Sequence, residues 1–391
     1  NSGILFLVIF FILSLYTNHL YLEEFERISN NKSKNQMLFA CFVISIGDSI
    51  EEIFDSAKNA AIISKYGGGV GANFSHIREK NALIKNGLGG QSSGPISFME
   101  TWNTMGSVVV QGGKRRAALM GMLNVNHPDI EEFINCKTED GKLSVFNISV
   151  AIDDKFMNAV KNNEMYDLIS SSSGEIVKSV NAKQLWDAIC EKAHKRGDPG
   201  IFFVDTANKD SLLSAFPEYK IEPTNPCVEQ ALPNFTACNL GSINVAEFVI
   251  NDENTNELIF DELGFYNQVL RGIHYLDAVI DASGYPLDII EKNTKNIRPV
   301  GLGIMGLADL AIKLGIEYGS DDFYHLCDII STILAGASLR SSMILANLES
   351  IKAKDDPSIQ SSFYSKWSDE DKEKMNTYLK NFLNSSDNIN S

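Results

Sequence analysis

A short polar stretch between residues 225 and 244 holds the side chains best suited to chemistry. Asn225, Cys227 and Glu229 alternate along it, and Cys238 follows in the segment TACNLGSIN. Alternate side chains of an extended strand point to one face, so we expect the amide, thiol and carboxylate to meet one small ligand. The amide would bind hydroxyl groups, the carboxylate would accept a proton, and the sulfur would serve nucleophilic, redox or radical chemistry.

Simpler interpretations of these cysteines remain open from residue types alone. A single buried cysteine is usually a small apolar packing residue. Ten residues separate Cys227 from Cys238 without a CxxC or HxxxH pattern, so the spacing does not favour zinc and we expect no metal site. The six cysteines are scattered, unlike those of a disulfide-rich secreted domain, and they suit a reducing cytoplasm.

The stretch resembles the active-site segment of the large, catalytic subunit of ribonucleotide reductase, where the pattern is Asn-x-Cys-x-Glu. The continuation CNLGSIN is most similar to the adenosylcobalamin-dependent branch of that family. Ordered blocks of this kind are more specific than any single motif, and the resemblance weakens after about residue 340. The matching blocks follow family order across roughly residues 38–315: 40–43, 67–78, 111–134, 146–157, 197–206 and 298–307.

The resemblance implies a ten-stranded α/β barrel, of which this chain carries only the first part, with the reactive cysteine on a finger loop inside it. Cys227 would be the thiyl radical that removes the 3′ hydrogen of a ribonucleotide. Glu229 would be the base for the 3′ hydroxyl, and Asn225 would hold the ribose hydroxyls. Cys41 and Cys238 would be the dithiol that reduces the 2′ position and becomes a disulfide. The implied substrate contacts are Ala40, Cys41, Gly69, Asn225, Pro226, Cys227, Val228 and Glu229.

The resemblance also implies a second nucleotide site and several partners. Residues 79–90 and 136–146 resemble the two loops that pass the signal of a bound effector nucleotide to the substrate site. The implied cofactor is adenosylcobalamin, with a radical from a di-metal small subunit as the alternative. The implied reductant is a thioredoxin- or glutaredoxin-type protein, and a homodimer is expected. The effector site would be formed by Asp48, Ser49, Ile50, Arg78 and Lys85.

Three features depart from the family pattern. Ala117 and Ala118 follow Arg115-Arg116 where glycine is common at the first position. Val228 stands where the cobalamin branch usually has glycine, which crowds the turn beside Cys227. The sequence also stops before the Pro-Thr-x-x-x-Ser phosphate loop and any C-terminal cysteine pair, so this chain alone is not expected to close the barrel. The alternative function is a non-catalytic or split-gene fragment that needs the missing half-barrel. A thiol-dependent oxidoreductase or acyl-transfer enzyme would want a histidine base, and the six histidines form no recognisable Cys/His signature.

Length and net charge limit the size of the core and the kinds of binding partner. The 391 residues are enough for a large core, and the net charge of −16 argues against nucleic acid or an anionic membrane surface as a partner. We expect an apolar segment of unclear status at 1–22, a partial catalytic barrel at 23–350 and a polar, partly disordered tail at 351–391. The first residue is Asn, which suggests a fragment or a processed chain.

The apolar run at 4–16 has three interpretations: a buried strand or helix, a membrane or signal segment, or the mistranslated flank of a broken gene. It is shorter than the about twenty residues of a membrane span, so we expect no membrane anchor. Elsewhere, predicted strands alternate with predicted helices, which favours an α/β fold with parallel strands. The strands are predicted at 37–46, 146–152 and 201–204, and the helices at 50–61, 96–110, 128–135, 185–193, 261–281 and 303–314.

Overall fold

The computed structural model describes residues 36–84, 90–111, 115–139, 141–209, 211–214, 216–253 and 255–355. The strands, in chain order, are β1 (Cys41–Ile44), β2 (Gly69–Asn73), β3 (Val110–Gln111), β4 (Arg115–Arg116), β5 (Leu119–Asn124), β6 (Phe146–Ile152), β7 (Met165–Ile169), β8 (Ile176–Asn181), β9 (Gly200–Phe203), β10 (Ile221–Thr224), β11 (Ala231–Pro233), β12 (Thr236–Asn244), β13 (Val249–Asn251), β14 (Leu258–Phe260) and β15 (Val300–Met305). The helices are α1 (Ile50–Lys65), α2 (Pro95–Val108), α3 (Ile130–Asn135), α4 (Asp154–Asn162), α5 (Ala182–Arg196), α6 (Val204–Lys209), α7 (Glu262–Ala282), α8 (Asp288–Ile297), α9 (Leu307–Leu314) and α10 (Asp321–Asp355).

Seven strands form one curled sheet in the order β15-β12-β1-β2-β5-β6-β9. The five strands β1, β2, β5, β6 and β9 run parallel, and so do β12 and β15, but β1 and β12 are antiparallel. The sheet is therefore a block of five parallel strands joined to two strands of the opposite direction. This architecture confirms the predicted α/β class, and its seven strands are the first part of the expected ten-stranded barrel.

The two faces of the sheet differ because successive side chains of a strand alternate. One face, the helix face, carries fully buried apolar residues such as Phe42, Ile44 and Val70, which pack with residues of the helices. The other face, the site face, carries Cys41 on β1 and Met120 on β5. Burial of one large apolar side chain is worth about 1.5–3 kcal/mol, so the helix face holds the sheet together. The site face carries the residues of the candidate active site.

Local signals in the sequence define several helix ends. Ser49 caps α1 in a capping box, because its hydroxyl accepts the Glu52 N–H at 3.2 Å and Glu52 Oε2 accepts the Ser49 N–H at 3.1 Å. At α5, the Asn181 side chain accepts the Gln184 N–H. The same helix ends at Gly197, whose φ of 77° is the left-handed conformation that glycine favours. The predicted end of this helix is confirmed.

Most predicted elements are present, and one is partly wrong. The strand predicted at 146–152 is β6 with the same bounds, and the helix predicted at 96–110 is α2. The predicted helix at 303–314 begins only at Leu307, because residues 300–305 form β15. β15 pairs with β12, which lies more than fifty residues earlier, so the local pattern did not reveal it.

Within the described ranges, one helix segment, Asp321–Ala346 of α10, is long and apolar enough to cross a membrane, with a mean hydropathy of 1.5. Length and composition alone are weak evidence, because the core helix of a soluble protein passes the same test. The Ser341 hydroxyl donates to the Leu270 carbonyl at 3.1 Å, which ties α10 to α7. The apolar run at 4–16 and the tail beyond 355 lie outside the described residues.

Candidate active site

The finger loop (residues 225–230) is the turn of a hairpin formed by β10 and β11. The Asn225 N–H donates to the Gln230 carbonyl at 3.2 Å, and the Val228 N–H donates to the Asn225 carbonyl at 3.1 Å. The extended backbone predicted for this stretch is therefore wrong. Its residues form a tight turn that buries Asn225 and exposes Cys227 and Glu229. A proline at position 226 favours such a turn.

The turn nevertheless brings the amide and the carboxylate to one sulfur, that of Cys41 on β1. Asn225 Nδ2 donates to Cys41 Sγ at 3.3 Å, and Cys41 Sγ donates to Glu229 Oε1 at 3.5 Å. Asn225 Oδ1 accepts the Gln230 N–H at 3.0 Å, which fixes the orientation of the amide. Two residues distant in sequence from Cys41, Asn225 and Glu229, thus contact its thiol.

Cys238 lies directly opposite Cys41 across the antiparallel junction of β1 and β12. Directly opposed residues of antiparallel strands have Cα atoms about 4.5–5.5 Å apart, which falls within the range for a disulfide. Both cysteines are free and buried. The prediction that they lie on adjacent strands within disulfide reach is confirmed, and their redox role stays a prediction.

Both thiols of this pair are held in the protonated form. Burial raises the pKa of the Cys41 thiol to about 12, and the negative charge of Glu229 adds to the shift. Burial also raises the pKa of Cys238, with further contributions from Cys41 and Glu229. A thiol that keeps its proton is a poor nucleophile, so this pair is suited to giving up hydrogen rather than to attacking a carbonyl.

Cys227 differs from the pair because its residue is exposed at the tip of the finger loop. No histidine of the described ranges makes a hydrogen bond to it: His76 bonds Glu222, and His127 bonds the Ile77 carbonyl and the Asp129 N–H. The same ranges contain no group of three or more histidine, cysteine or acidic side chains that could hold a metal ion. The site therefore presents one accessible thiol above two shielded ones.

Two polar contacts that the sequence analysis missed tie the finger loop to the site face. Asn147 Nδ2 on β6 donates to the Pro226 carbonyl at 2.7 Å. The Thr224 N–H donates to the Met122 sulfur on β5 at 3.2 Å. A polar residue inside the apolar strand FNISVAI was a visible signal for Asn147, whereas nothing in the sequence pointed to Met122.

Val228 has a φ of 69°, in the left-handed region that a β-branched residue rarely adopts. Its side chain packs beside Met120, Met122 and Ala151 on the site face. The family's usual glycine at this position now has a physical explanation, because glycine adopts a positive φ without steric cost. This chain combines a strained backbone with added apolar contact next to Cys227.

The remaining candidate substrate contacts also lie at the start of β1 and β2. Gly69 pairs with Cys41, and its N–H donates to the Ala40 carbonyl at 2.8 Å. A Cβ at Gly69 would stand 3.0 Å from Pro226 Cγ. The structure therefore brings Ala40, Cys41, Gly69 and Pro226 together with the finger loop.

Four of the candidate effector residues cluster beyond the other end of β1. Arg78 makes two hydrogen bonds to the Asp48 carboxylate. Its backbone N–H donates to Asp48 Oδ1 at 2.7 Å, and its Nε donates to Asp48 Oδ2 at 2.8 Å. Ser49 caps α1, and Ile50 in its first turn is 57% exposed. Lys85 lies outside the described residues. The cluster places Arg78 beside the capped start of α1, and the Arg78 guanidinium is already paired with the Asp48 carboxylate.

Comparison with known proteins gives one consistent answer. Residues 39–381 match the family model described as ribonucleotide reductase, barrel domain, so the likeness runs past residue 340, where the motifs had placed its end. The vitamin B12-dependent ribonucleoside-diphosphate reductase of Thermoplasma acidophilum is 41% identical over 320 residues, which are 82% of this chain and 41% of that protein. The protein of the same name from Mycobacterium tuberculosis is 36% identical over 334 residues, covering 85% of this chain and 47% of the relative.

A solved structure agrees on the fold. The Actinobacillus ureae class Id ribonucleotide reductase alpha subunit superposes with a TM-score of 0.65 at 23% identity, over 81% of this chain and 56% of that one. The chain spans less than half the length of the two curated relatives. With its half-barrel sheet and the match over most of its length, the chain belongs to the ribonucleotide reductase family and carries part of that family's barrel domain.

Proposed function

We propose that the whole protein represented by this chain reduces ribonucleoside diphosphates to 2′-deoxyribonucleotides by radical chemistry that starts at Cys227. The observation that carries the proposal is the arrangement of three thiols: Cys227 is exposed on the finger loop, and Cys41 and Cys238 are buried and face each other across two strands. The diphosphate substrate is taken from the printed names of the relatives, ribonucleoside-diphosphate reductases.

Each residue has a role that its surroundings support. Cys227, as a thiyl radical, removes the 3′ hydrogen; Glu229 takes the 3′-hydroxyl proton; and Asn225 binds the ribose hydroxyls. The 2′ hydroxyl leaves as water, and the Cys41–Cys238 dithiol supplies two electrons and two protons as it becomes a disulfide. The hydrogen bonds of Asn225 and Glu229 to Cys41 place these side chains at the reducing thiol before a substrate binds.

Adenosylcobalamin is the proposed cofactor, because relatives 35–41% identical to this chain are named vitamin B12-dependent. When bound, it supplies the radical that a thiol of the chain receives. Cys227 fits this demand, since it is the exposed thiol of the site. A di-metal small subunit is the alternative radical source, and a Chlamydia pneumoniae relative named as subunit alpha, 28% identical, keeps it open.

The proposal extends to partners and compartment. Effector nucleotides would bind at Asp48, Ser49, Ile50, Arg78 and Lys85, where the ion pair of Arg78 with Asp48 would rearrange to admit a phosphate. A thioredoxin- or glutaredoxin-type protein would reduce the disulfide after each turnover. We also propose a homodimer in the cytoplasm, in keeping with the scattered free cysteines.

The test is substitution of the exposed thiol in the full-length protein, assayed with adenosylcobalamin, a dithiol and a ribonucleoside diphosphate. Cys227→Ser should abolish deoxynucleotide formation and loss of label from C3′, because an O–H bond is too strong to yield the needed radical. Serine is close to isosteric, so the fold should be retained. Cys190→Ser, at an exposed cysteine outside the site, is the matched control and should keep activity. Deoxynucleotide made by Cys227→Ser would refute the proposal.

A further inference from the structure

The finger loop lies directly on glycines of the site face. Gly69 and Gly71 of β2 and Gly301 of β15 each face part of the hairpin or its turn, and a Cβ at any of them would contact it. At Gly71 the added Cβ would meet backbone atoms, whereas at Gly69 and Gly301 it would first meet side-chain atoms. This difference determines which glycine fixes the position of the loop.

Gly71 is the critical position. A Cβ there would stand 1.6 Å from the Thr224 carbonyl oxygen and 3.3 Å from Asn225 Cα. Both are backbone atoms, so no change of side-chain rotamer would relieve the overlap. Strand and hairpin would have to separate until this distance reached the about 3.5 Å of ordinary contact. The φ of Gly71 is not positive, so the need for glycine here is one of space and not of conformation.

The other two glycines tolerate more. At Gly301 the nearest atoms are Gln230 Nε2 and Leu240 Cδ2, both at 2.5 Å, and both are ends of side chains that can rotate away. At Gly69 the nearest atom is Pro226 Cγ at 3.0 Å, a tight contact with a ring that can shift by a few tenths of an ångström. Only the Gly71 contact, among these three, fixes the backbone of the hairpin.

Met122 supports the same point of the hairpin from the neighbouring strand. Gly71 pairs with Met120, two residues before Met122 on β5. The Met122 side chain is fully buried, and its sulfur accepts the Thr224 N–H at 3.2 Å and the Thr224 hydroxyl at 3.6 Å. The buried Thr224 N–H thus depends on a thioether, a weak acceptor, for its hydrogen bond. Two residues of the site face therefore fix the position of the Thr224 backbone: Gly71 lies against its carbonyl, and Met122 accepts its N–H.

We propose that Gly71 and Met122 are positioning residues for the reaction. Together they fix the distance of Thr224 from the sheet. That distance in turn determines whether Asn225 and Glu229 can form their hydrogen bonds with the Cys41 thiol. The inference rests on the proposed function for its meaning in catalysis, but the positioning itself is a property of this chain. Asn225 follows Thr224 directly, so a shift of more than an ångström at Thr224 would break its 3.3 Å bond to Cys41.

The experiment compares alkylation of Cys41 in the wild-type chain and in Gly71→Ala. Cys41 is shielded in the wild type, at 6% exposure, whereas Cys227 is exposed and serves as the internal reference in the same peptide map. Because alkylation follows exposure and thiolate character, Gly71→Ala should raise the Cys41 rate relative to Cys227 at least about tenfold. Circular dichroism and thermal unfolding establish that the variant is folded.

Gly303→Ala is the matched control. Gly303 lies on β15, and its nearest neighbours to an added Cβ are Ser242 Oγ at 3.8 Å and the Gly241 carbonyl at 3.9 Å, which is ordinary contact. Its Cys41 alkylation rate should stay within about twofold of the wild type. Equal Cys41 rates in folded Gly71→Ala and Gly303→Ala would overturn the proposal.

Met122→Leu tests the positioning role if Gly71→Ala does not fold. This substitution conserves side-chain volume and removes only the sulfur acceptor, so the protein should fold while Thr224 loses its hydrogen bonds to Met122. We expect Cys41 alkylation to rise about threefold or more, in line with loss of one buried hydrogen bond. An unchanged rate in folded Met122→Leu would refute the positioning role.

In the full-length enzyme, Gly71→Ala should lower kcat by about 10²-fold with little change in KM, as expected when reacting groups are misplaced by an ångström. The two proposals fail separately. If Gly71→Ala raises the Cys41 alkylation rate but the wild-type full-length protein makes no deoxynucleotide, the positioning role stands and the proposed function is rejected. If the wild-type protein makes deoxynucleotide but folded Gly71→Ala keeps the wild-type Cys41 alkylation rate, the proposed function stands and the positioning role is rejected.

Discussion

The neighbours of the Cys41 sulfur act on its proton in opposite directions. Burial and the Glu229 carboxylate raise the pKa of Cys41, while the hydrogen bond from Asn225 lowers it. Burial is the largest contribution, so the thiol stays protonated at neutral pH. At this scale the site favours transfer of hydrogen and disfavours the acyl-transfer alternative, which needs a thiolate and a histidine base.

Val228 supplies the first prediction in this part of the molecule. Glycine in a strand or helix usually leaves a protein about 0.5–1 kcal/mol less stable than alanine does. At Val228 the φ of 69° penalises every residue with a Cβ by about 1–2 kcal/mol. Val228→Gly should therefore be more stable than Val228→Ala by about 1 kcal/mol, measured as the free energy of unfolding in urea.

Val177, a half-exposed residue of the ordinary strand β8, is the control for that comparison. There, glycine should be the less stable of the two variants. If glycine were the less stable variant at position 228 as well, the backbone at Val228 would not be strained.

At the scale of elements, the β10–β11 hairpin is anchored at its base as well as at its turn. Glu222 of β10 accepts from Asn234 Nδ2 at 3.0 Å and pairs with His76 Nε2 at 3.1 Å. The hydrogen bond to Glu222 raises the pKa of His76, and the bond to His76 lowers the pKa of Glu222. Lys220 opposes protonation of His76 and favours the Glu222 charge.

This pair predicts a pH-dependent stability. The contribution of His76 is present below its ordinary pKa of about 6.5 and is lost as pH rises through its higher folded-state pKa. The contribution of Glu222 is present above its ordinary pKa of about 4.5 and is lost as pH falls through its lower folded-state pKa. The anchor is therefore strongest between these two values. Because His76 is half exposed, we expect less than about 1 kcal/mol.

The measurement is the free energy of unfolding of the wild type and of His76→Asn at a series of pH values. The difference between the two should shrink as pH rises above about 6.5. His274→Asn, at an exposed position of α7, controls for general effects of losing a histidine. A constant difference between wild type and His76→Asn across neutral pH would contradict the prediction.

The sequence predicted elements better than it predicted the site loop. Helices such as α5 follow from local periodicity and caps, and β6 follows from its mostly apolar, β-branched sequence FNISVAI. The backbone of the finger loop does not, because its turn is closed by bonds to the sheet at Met122 and Asn147, far away in sequence. The residue types of the site were nevertheless predictable from the Asn-x-Cys-x-Glu pattern, because chemistry restricts them more than the backbone does.

For the whole molecule, the junction of β1 and β12 is the seam between two blocks of opposite strand direction. Cys41 and Cys238 lie at that seam. Among the described strands, β9 and β15 are each paired on one side only, so they are the open edges of the half-barrel. The seam is the position where a covalent bond would link the five-strand block to the two-strand block.

The last prediction concerns that link. Oxidation of the isolated chain should join Cys41 to Cys238, and the bond would close a loop of almost two hundred residues. A disulfide restricts the unfolded chain and typically adds about 2–4 kcal/mol, so the oxidised form should unfold at a higher guanidinium concentration than the reduced form. A Cys190→Ser/Cys227→Ser background removes the two exposed thiols that would cross-link two chains, and Cys238→Ser in that background should abolish the redox difference. Peptide mapping must find Cys41 and Cys238 in one linked pair. If the oxidised chain carries that pair and unfolds no later than the reduced chain, the seam does not limit the stability of the half-barrel, because the two blocks then unfold independently of the bond between them.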